Sequence, residues 1–413
     1  MTTIPEESLS DQRIRALVTR AALRAARAAT APGLAPEDRM TTLMECHGIV
    51  LAAHGPSASM PFSDFRGLLI GTVAGLLPDG IAPDGLEHVS LLDDGLESAG
   101  LFDLDFEQRL VLRAVRHTDG LPGIMTDQQL VDEIDQELVY EAMKKGGKQD
   151  RYELYRSNLI RYPSGSVDDI AALALPEAAR GAYREISLDS RFHDWWYPCP
   201  ACRWPMRVTA AANGRKDGGH GVVRCWYAPH ADLGASYGFR LPDDGSAPVL
   251  VPQRPARRRP PRELVLVPTL GDPPRALPVD DHRALARGVW RYTTVPGLIE
   301  LALHDRLKER GLGVDLWPGL DLFDLRITVL GGGPGPDDGV KVDVKDYTSG
   351  MTLGQLVHSQ EGDKGGAEVL VVPDHRADQV PLLQNVCAKY GMRAEAATDF
   401  AESICQKAGI SWL

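Results

Sequence analysis

The chain is short of several things, and each shortage removes a class of protein. It has no apolar run long enough to cross a bilayer, which excludes a helical membrane span. No basic segment followed by an apolar one opens it, so the expectation is a cytoplasmic protein. Six cysteines in 413 residues do not make a disulfide framework, and three of them, Cys199, Cys202 and Cys225, cluster in a way that fits reduced thiols around a metal. Positive charge is also scarce: 45 Lys and Arg stand against 57 Asp and Glu, a net charge of −12. A protein that coats nucleic acid by bulk charge is thereby excluded, and any such contact must come from a local basic patch. No internal repeat is evident. The apolar fraction, 43%, is ordinary for a globular chain of several domains.

What is present centres on residues 314–345. Phe323, Leu325, Ile327 and Val329 alternate with Asp324, Arg326 and Thr328, the period-two pattern of a strand with one buried face. Val340, Val342 and Val344 alternate with Lys341, Asp343 and Lys345 in the same way, and the Gly- and Pro-rich stretch between reads as a hairpin connection. Antiparallel pairing brings the start of the first strand beside the end of the second, so Asp324 is expected near Asp343 and Lys345 on the non-core face. Two carboxylates can hold a hard divalent cation, Mg²⁺ or Mn²⁺, and a lysine beside them can steady an attacking water or an anionic transition state. That combination suits phosphodiester hydrolysis. A solvated strand face is the simpler alternative.

Upstream, PGLIELALHDRLKERG reads as a helix with Pro296 in its first turn and Gly311 just past its end. Glu300 shares a side with Leu303 and Leu307, where a carboxylate needs a reason; pairing with His304 or Lys308 is one. Downstream, EVLVV reads as a central strand, VPLLQNVCAKYG as a helix, MRAEAAT as a further strand and FAESICQKAG as a last helix. Gln355, His358, His375 and Arg376 are polar residues near this region and are expected to be surface or scaffold.

Residues 1–165 read as an independent helical domain, with Cys46 and His47 expected in its core. Within it, DRYELYRSNLIRYPSG interleaves Arg151, Arg156 and Arg161 with Tyr152, Tyr155 and Tyr162. Such a stretch can clamp phosphates and stack bases, or it can be a tyrosine-rich docking helix. Residues 185–245 carry Cys199-Pro-Ala-Cys202, then Cys225 and His230, the donor set of a zinc ribbon, with His220 as the alternative fourth ligand. A redox Cys-x-x-Cys would open a helix after a strand, whereas prolines and tryptophans surround this one. Residues 246–284 are Pro- and Arg-rich, read as an extended linker with a short strand at ELVLV. Their arginines, Arg254, Arg257, Arg258, Arg259 and Arg262, make the one strongly basic cluster, and Arg257, Arg258 and Arg259 are the expected nucleic-acid contacts. Residues 285–413 form the last domain.

Asp343-Val344-Lys345 resembles the (D/E)xK element of the PD-(D/E)xK nuclease superfamily. Asp324 best matches that family's earlier acidic residue, since Asp321 has the parity of the core-facing Phe323 and Asp337 sits in the turn. No proline precedes Asp324, so that half of the motif is degenerate. The resemblance implies an α/β restriction-endonuclease-like fold and gives Glu300 the place of the first-helix glutamate that joins the metal site. A helical N-terminal domain, the arginine- and tyrosine-rich segment, a WWYPCPAC ribbon and a C-terminal Asp-x-Lys nuclease together resemble the restriction-endonuclease-like component of PIWI-RE gene islands. That family implies a DNA endonuclease working with a PIWI (Argonaute-like) protein and a DinG-type helicase in defence against phage or plasmid DNA. A reading from another class is a non-catalytic adaptor that binds nucleic acid or a partner protein and has no need of a cation at the aspartate pair.

Overall fold

The computed structural model describes residues 9–30, 34–55, 58–83, 86, 90–93, 96–97, 136, 138–211, 220–240, 246–253, 259–267, 270–328 and 339–413. The helices expected across residues 106–135, the hairpin connection 329–338, and Arg254, Arg257 and Arg258 lie outside these. The chain divides into two compact units, residues 1–121 with 347–359, and residues 122–346 with 360–413.

In the first unit, α1 (Leu9–Thr30) and α2 (Pro36–His54) pair through an Ala- and Leu-rich face, with Val18, Ala22, Ala25, Cys46 and Val50 fully enclosed. Pro36 at the first position of α2 loses no hydrogen bond, because that N–H has no partner inside a helix. The stretch from Phe65 to Leu77 reads as one helix but is two: α3 (Phe62–Leu68) ends, and a separate 3₁₀ turn runs Val73–Leu76. Gly71 and Thr72 interrupt the run, and Thr72 instead bridges to Ser90. Beyond it, β1 (Leu92–Asp93) and β2 (Leu96–Glu97) pair antiparallel. The unit's described part is therefore mainly helical, and Cys46 and His47 serve its core: the His47 ring nitrogen Nε2 meets the Met60 carbonyl at 2.7 Å.

In the second unit a helical stretch at residues 138–144 precedes α4 (Gln149–Arg161). A sheet follows, β3 (Arg207–Ala211), β4 (His220–Arg224) and β5 (Ser236–Arg240), antiparallel neighbours in that order, with Val251–Pro252 on the β5 edge. The expected strand at ELVLV does not form. Pro260 and Pro261 fix backbone angles that start a helical turn, Pro261–Leu264, and Leu266 is buried in the core.

The C-terminal part of this unit is α5 (Val295–Glu309), β6 (Gly313–Leu316), β7 (Leu325–Thr328), β8 (Val340–Val344), β9 (Val369–Val372), α7 (Val380–Cys387), β10 (Arg393–Ala396) and α8 (Ala397–Lys407), while α6 (Gly350–Ser359), between β8 and β9 in the chain, belongs to the first unit. The five strands lie in chain order, β6 to β8 antiparallel and β8 to β10 parallel. Alternation assigns the faces: Val342, Val344, Val369 and Val371 join Leu301, Leu303, Leu307, Phe400 and Ile404 in one core, while Asp343, paired in register with Leu370, looks the other way. The metal-cluster segment shares that core. Trp204 stacks on Trp290 with ring centroids 4.2 Å apart, and its indole N–H donates to the Leu285 carbonyl at 2.9 Å. No described helix is long and apolar enough to cross a membrane.

Candidate metal and phosphodiesterase centres

The hairpin places Asp324 beside the end of β8. The Asp324 N–H donates to the Val342 carbonyl at 3.0 Å, and the Val344 N–H donates to Asp324 Oδ2 at 2.7 Å. Period two sets Asp343 and Lys345 on one face, and the Lys345 ammonium donates to Asp343 Oδ1 at 2.7 Å and to Asp324 Oδ2 at 3.4 Å. The simpler alternative of a solvated strand face does not hold, because both carboxylates are buried. Two residues before Asp324, the Leu322 carbonyl is abutted by Gly365, on the chain that returns to β9, so closely that a Cβ would lie 1.8 Å from it.

Burial raises the Asp324 carboxyl above its usual range and the nearby Asp343 adds to this, against the pull of Lys345 and Arg156. Lys345 is held well above an ordinary lysine, since Asp324 and Asp343 outweigh its own desolvation. Among the described residues one buried oxygen here has no partner, Asp343 Oδ2. An acceptor left bare inside a protein is costly, and a cation ligand removes that cost. The donor set of two close carboxylates with one free oxygen therefore fits a divalent cation.

Glu300 does not pair with His304 or Lys308. It accepts from Arg156 Nη2 at both oxygens, 2.9 and 3.1 Å, and from the Trp317 indole N–H. Burial, with Asp324 and Asp321 adding to it, pushes its carboxyl up to about 8 against Arg156. Arg156 also bonds Asp321 and lies 3.5 Å from Asp324 Oδ1. This decides between two alternatives and overturns one expectation. Arg156 is enclosed in the protein rather than presented to nucleic acid, so α4 is a docking helix, while Arg151 stays exposed. Asp321 is not turned away from the centre either: Trp317, Gly319, Leu320 and Asp321 all have left-handed backbone, so strand parity does not extend back to it.

Two further groups escape a reading of the sequence. Lys364 is buried with its ammonium on Gln360 Oε1 at 2.6 Å, and desolvation lowers its pKa. Asp346, next after Lys345, accepts from Arg376 Nε at 3.2 Å and from the Tyr227 hydroxyl, and His375 Nε2 lies 3.5 Å away. Burial would raise its carboxyl, but His375, Arg376 and Arg291 overcome this and hold it well below the usual range. His375 and Arg376 thus scaffold the strand end. A hint of Asp346 lay in its adjacency to the Asp-x-Lys element; Lys364 sits in a polar loop that carries no such signal.

The second centre is Cys199, Cys202, Cys225 and His230, whose donor atoms all lie within 4.8 Å of one another. Cys202 Sγ to Cys225 Sγ is 3.9 Å, and His230 Nδ1 lies 3.7 Å from Cys225 Sγ and 4.0 Å from Cys199 Sγ. Zinc–sulfur bonds of about 2.3 Å in a tetrahedron set sulfurs about 3.8 Å apart, so the donor set has the size for Zn²⁺. A tight turn makes the first pair, with the Cys199 N–H on the Trp204 carbonyl and left-handed Arg203 between. His230 comes from the helical turn Ala228–Asp232, whereas His220 is exposed at the start of β4 and outside the set. Burial raises the Cys199 thiol, but hydrogen bonds from Cys202, Cys225 and His230 overcome this and take it well below the usual value; Cys202 and Cys225 are raised.

Of the expected nucleic-acid arginines only Arg259 lies within the described residues. Its side chain is mostly enclosed, 3.9 Å from Glu263. No curated protein and no solved structure matches the chain. Residues 297–412, which carry Glu300, Asp324, Asp343 and Lys345, match the family described as REase associating with pPIWI_RE. By that match the C-terminal region, with its helix, antiparallel strand trio and parallel pair, is similar to the restriction-endonuclease-like component of PIWI-RE systems.

Proposed function

We propose that the protein is a metal-dependent endodeoxyribonuclease that works with a PIWI protein and a DinG-type helicase in defence against phage or plasmid DNA. The observation that carries the reading is the orphaned Asp343 Oδ2 beside Asp324 and Lys345, within a region similar to a restriction endonuclease. Asp324 and Asp343 would hold Mg²⁺ or Mn²⁺, which when bound polarises a phosphate oxygen and lowers the pKa of water. Lys345, released from Asp343, would orient the attacking water and offset charge on the phosphorane-like transition state. Glu300 would assist from the rear of the site, acting on Asp324 through Arg156. Cys199, Cys202, Cys225 and His230 would hold Zn²⁺ with every ligand position taken by protein, a structural role. Phosphate contacts from the basic stretch would fall to Arg257 and Arg258, with Arg259 turned inward toward Glu263.

The test is digestion of single- and double-stranded DNA by the purified full chain, alone and with its PIWI and helicase partners, with and without Mg²⁺ or Mn²⁺. Cleavage that needs the cation and disappears in Lys345→Ala supports the reading. No cleavage under any of these conditions, with no cation bound at the aspartate pair, replaces it with the adaptor.

A further inference from the structure

The region similar to a restriction endonuclease starts at residue 297, yet the residue that ties its carboxylates together comes from far upstream. On α4, Gln149, Tyr152 and Arg156 recur at three- and four-residue spacing and so share a face. That face meets the turn between β6 and β7 at two places. Gln149 grips its backbone: the side-chain amide donates to the carbonyls of Leu316 and Trp317 at 3.1 and 2.9 Å, and its oxygen accepts the Leu320 N–H at 3.0 Å. Two of the gripped residues, Trp317 and Leu320, have left-handed backbone, as does the neighbouring Asp321, a conformation that costs an L-residue about 1–2 kcal/mol and persists only where its surroundings enforce it.

Arg156 grips the side chains. Nη2 serves both oxygens of Glu300 and lies near Asp324 Oδ1; Nη1 serves Asp321 and meets the Tyr152 hydroxyl at 3.2 Å. The guanidinium lies over the Trp317 ring, 4.6 Å from its centroid, and the same indole donates to Glu300. Asp324 is consequently held at both oxygens, Oδ2 by the Val344 N–H and Lys345, Oδ1 by Arg156. When Lys345 turns toward substrate, Arg156 and the Val344 N–H are what remain to fix that carboxylate. A planar fork can serve several carboxylates at once, which a single ammonium cannot do with the same geometry.

We propose that Arg156 is a positioning residue of the phosphodiesterase centre: its guanidinium, anchored on Glu300, sets the Asp324 carboxylate in the orientation that receives the divalent cation, while Gln149 fixes the turn that carries Asp324. The cation-binding centre is then built from α4 together with the region after 297. This rests on the reading of Asp324 and Asp343 as cation ligands.

Arg156→Lys tests the proposal because it keeps the charge and removes the fork. Mn²⁺ binding to the full chain is followed by calorimetry at a temperature where each protein is folded, alongside metal-dependent DNA cleavage. Outer-shell partners of metal ligands contribute about 10- to 100-fold to affinity or activity, so Arg156→Lys should weaken Mn²⁺ binding by about tenfold or more, with cleavage falling in step. Should Arg156→Lys not fold, Gln149→Ala carries the test: it too alters no charge, and it should weaken Mn²⁺ binding by loosening the turn. A folded variant that melts earlier yet binds Mn²⁺ and cleaves like the unmodified protein reduces Arg156 to a structural ion pair and overturns the proposal. An unmodified protein that binds no Mn²⁺ sinks the cation reading itself, and this proposal with it.

Discussion

Asp343 and Asp346 stand three residues apart at the end of one strand, and the structure assigns them opposite relations to stability. Asp343 has one oxygen on Lys345 and one with no partner, and the Lys345 side chain is itself 28% exposed. In Asp343→Asn the lysine still reaches Asp324 and the Val344 carbonyl, so the change in metal-free stability should stay within about 1 kcal/mol. Asp346 is enclosed, and His375, Arg376 and Tyr227 converge on its carboxylate. Asp346→Asn removes the charge that Arg376 and Arg291 face, and breaking one partner out of a buried ion pair costs about 3–5 kcal/mol. At about 2–4 °C per kcal/mol for a unit of this size, its melting temperature should fall by roughly 6–20 °C. Thermal melts of both variants, each with and without Mn²⁺, measure this. A cation at a hundred times its Kd adds about 2.7 kcal/mol to the unmodified protein, and that gain should vanish in Asp343→Asn while surviving in a folded Asp346→Asn. If Asp343→Asn loses as much metal-free stability as Asp346→Asn, the orphaned oxygen has been misread and the two aspartates are equivalent scaffold.

Acid should act through Asp346 as well. Its folded pKa lies well below the unfolded value of about 3.9, so its contribution is complete above that value and is lost as pH falls through it toward the folded pKa; Asp346→Asn should flatten this part of a stability–pH curve measured by denaturant melts. At neutral pH, metal analysis should find one Zn²⁺ per chain, falling on acidification as the thiolates and His230 take up protons, and Cys225→Ser should lower occupancy. A fully folded preparation free of metal would contradict the assignment. Gly365 has φ +63°, and an added Cβ would meet the Leu322 carbonyl at 1.8 Å, so Gly365→Ala should cost more than about 2 kcal/mol; an unchanged melting temperature would refute that close approach.

Period two was enough to find the hairpin and to bring Asp324, Asp343 and Lys345 together, because strand pairing converts local alternation into contact. The helix with Glu300 and the strands and helices after residue 367 were equally legible from apolar spacing and the closing glycines. The rule failed where the backbone left the extended region: Asp321 was assigned by a parity that the left-handed turn cancels. It failed also where propensity met proline, as at ELVLV, whose β-branched residues follow a Pro-Pro pair that starts a helical turn. Arg156 was visible as one basic residue among several, but its partners Glu300 and Asp321 lie 144 and 165 residues away, and nothing local distinguishes a buried arginine from a solvated one. His230 stands out over His220 only as the histidine that follows Cys225; the helical turn that aims its Nδ1 at the sulfurs carries no sequence label.

The shared core beneath Trp204 and Trp290 makes the cysteine cluster and the carboxylate pair parts of one solid rather than beads on a string. Tyr227 reinforces this, since it stands two residues after Cys225 and its hydroxyl reaches the aspartate that follows Lys345. The separation and angle between the cysteine cluster and the carboxylate pair are therefore fixed by packing rather than left to a linker.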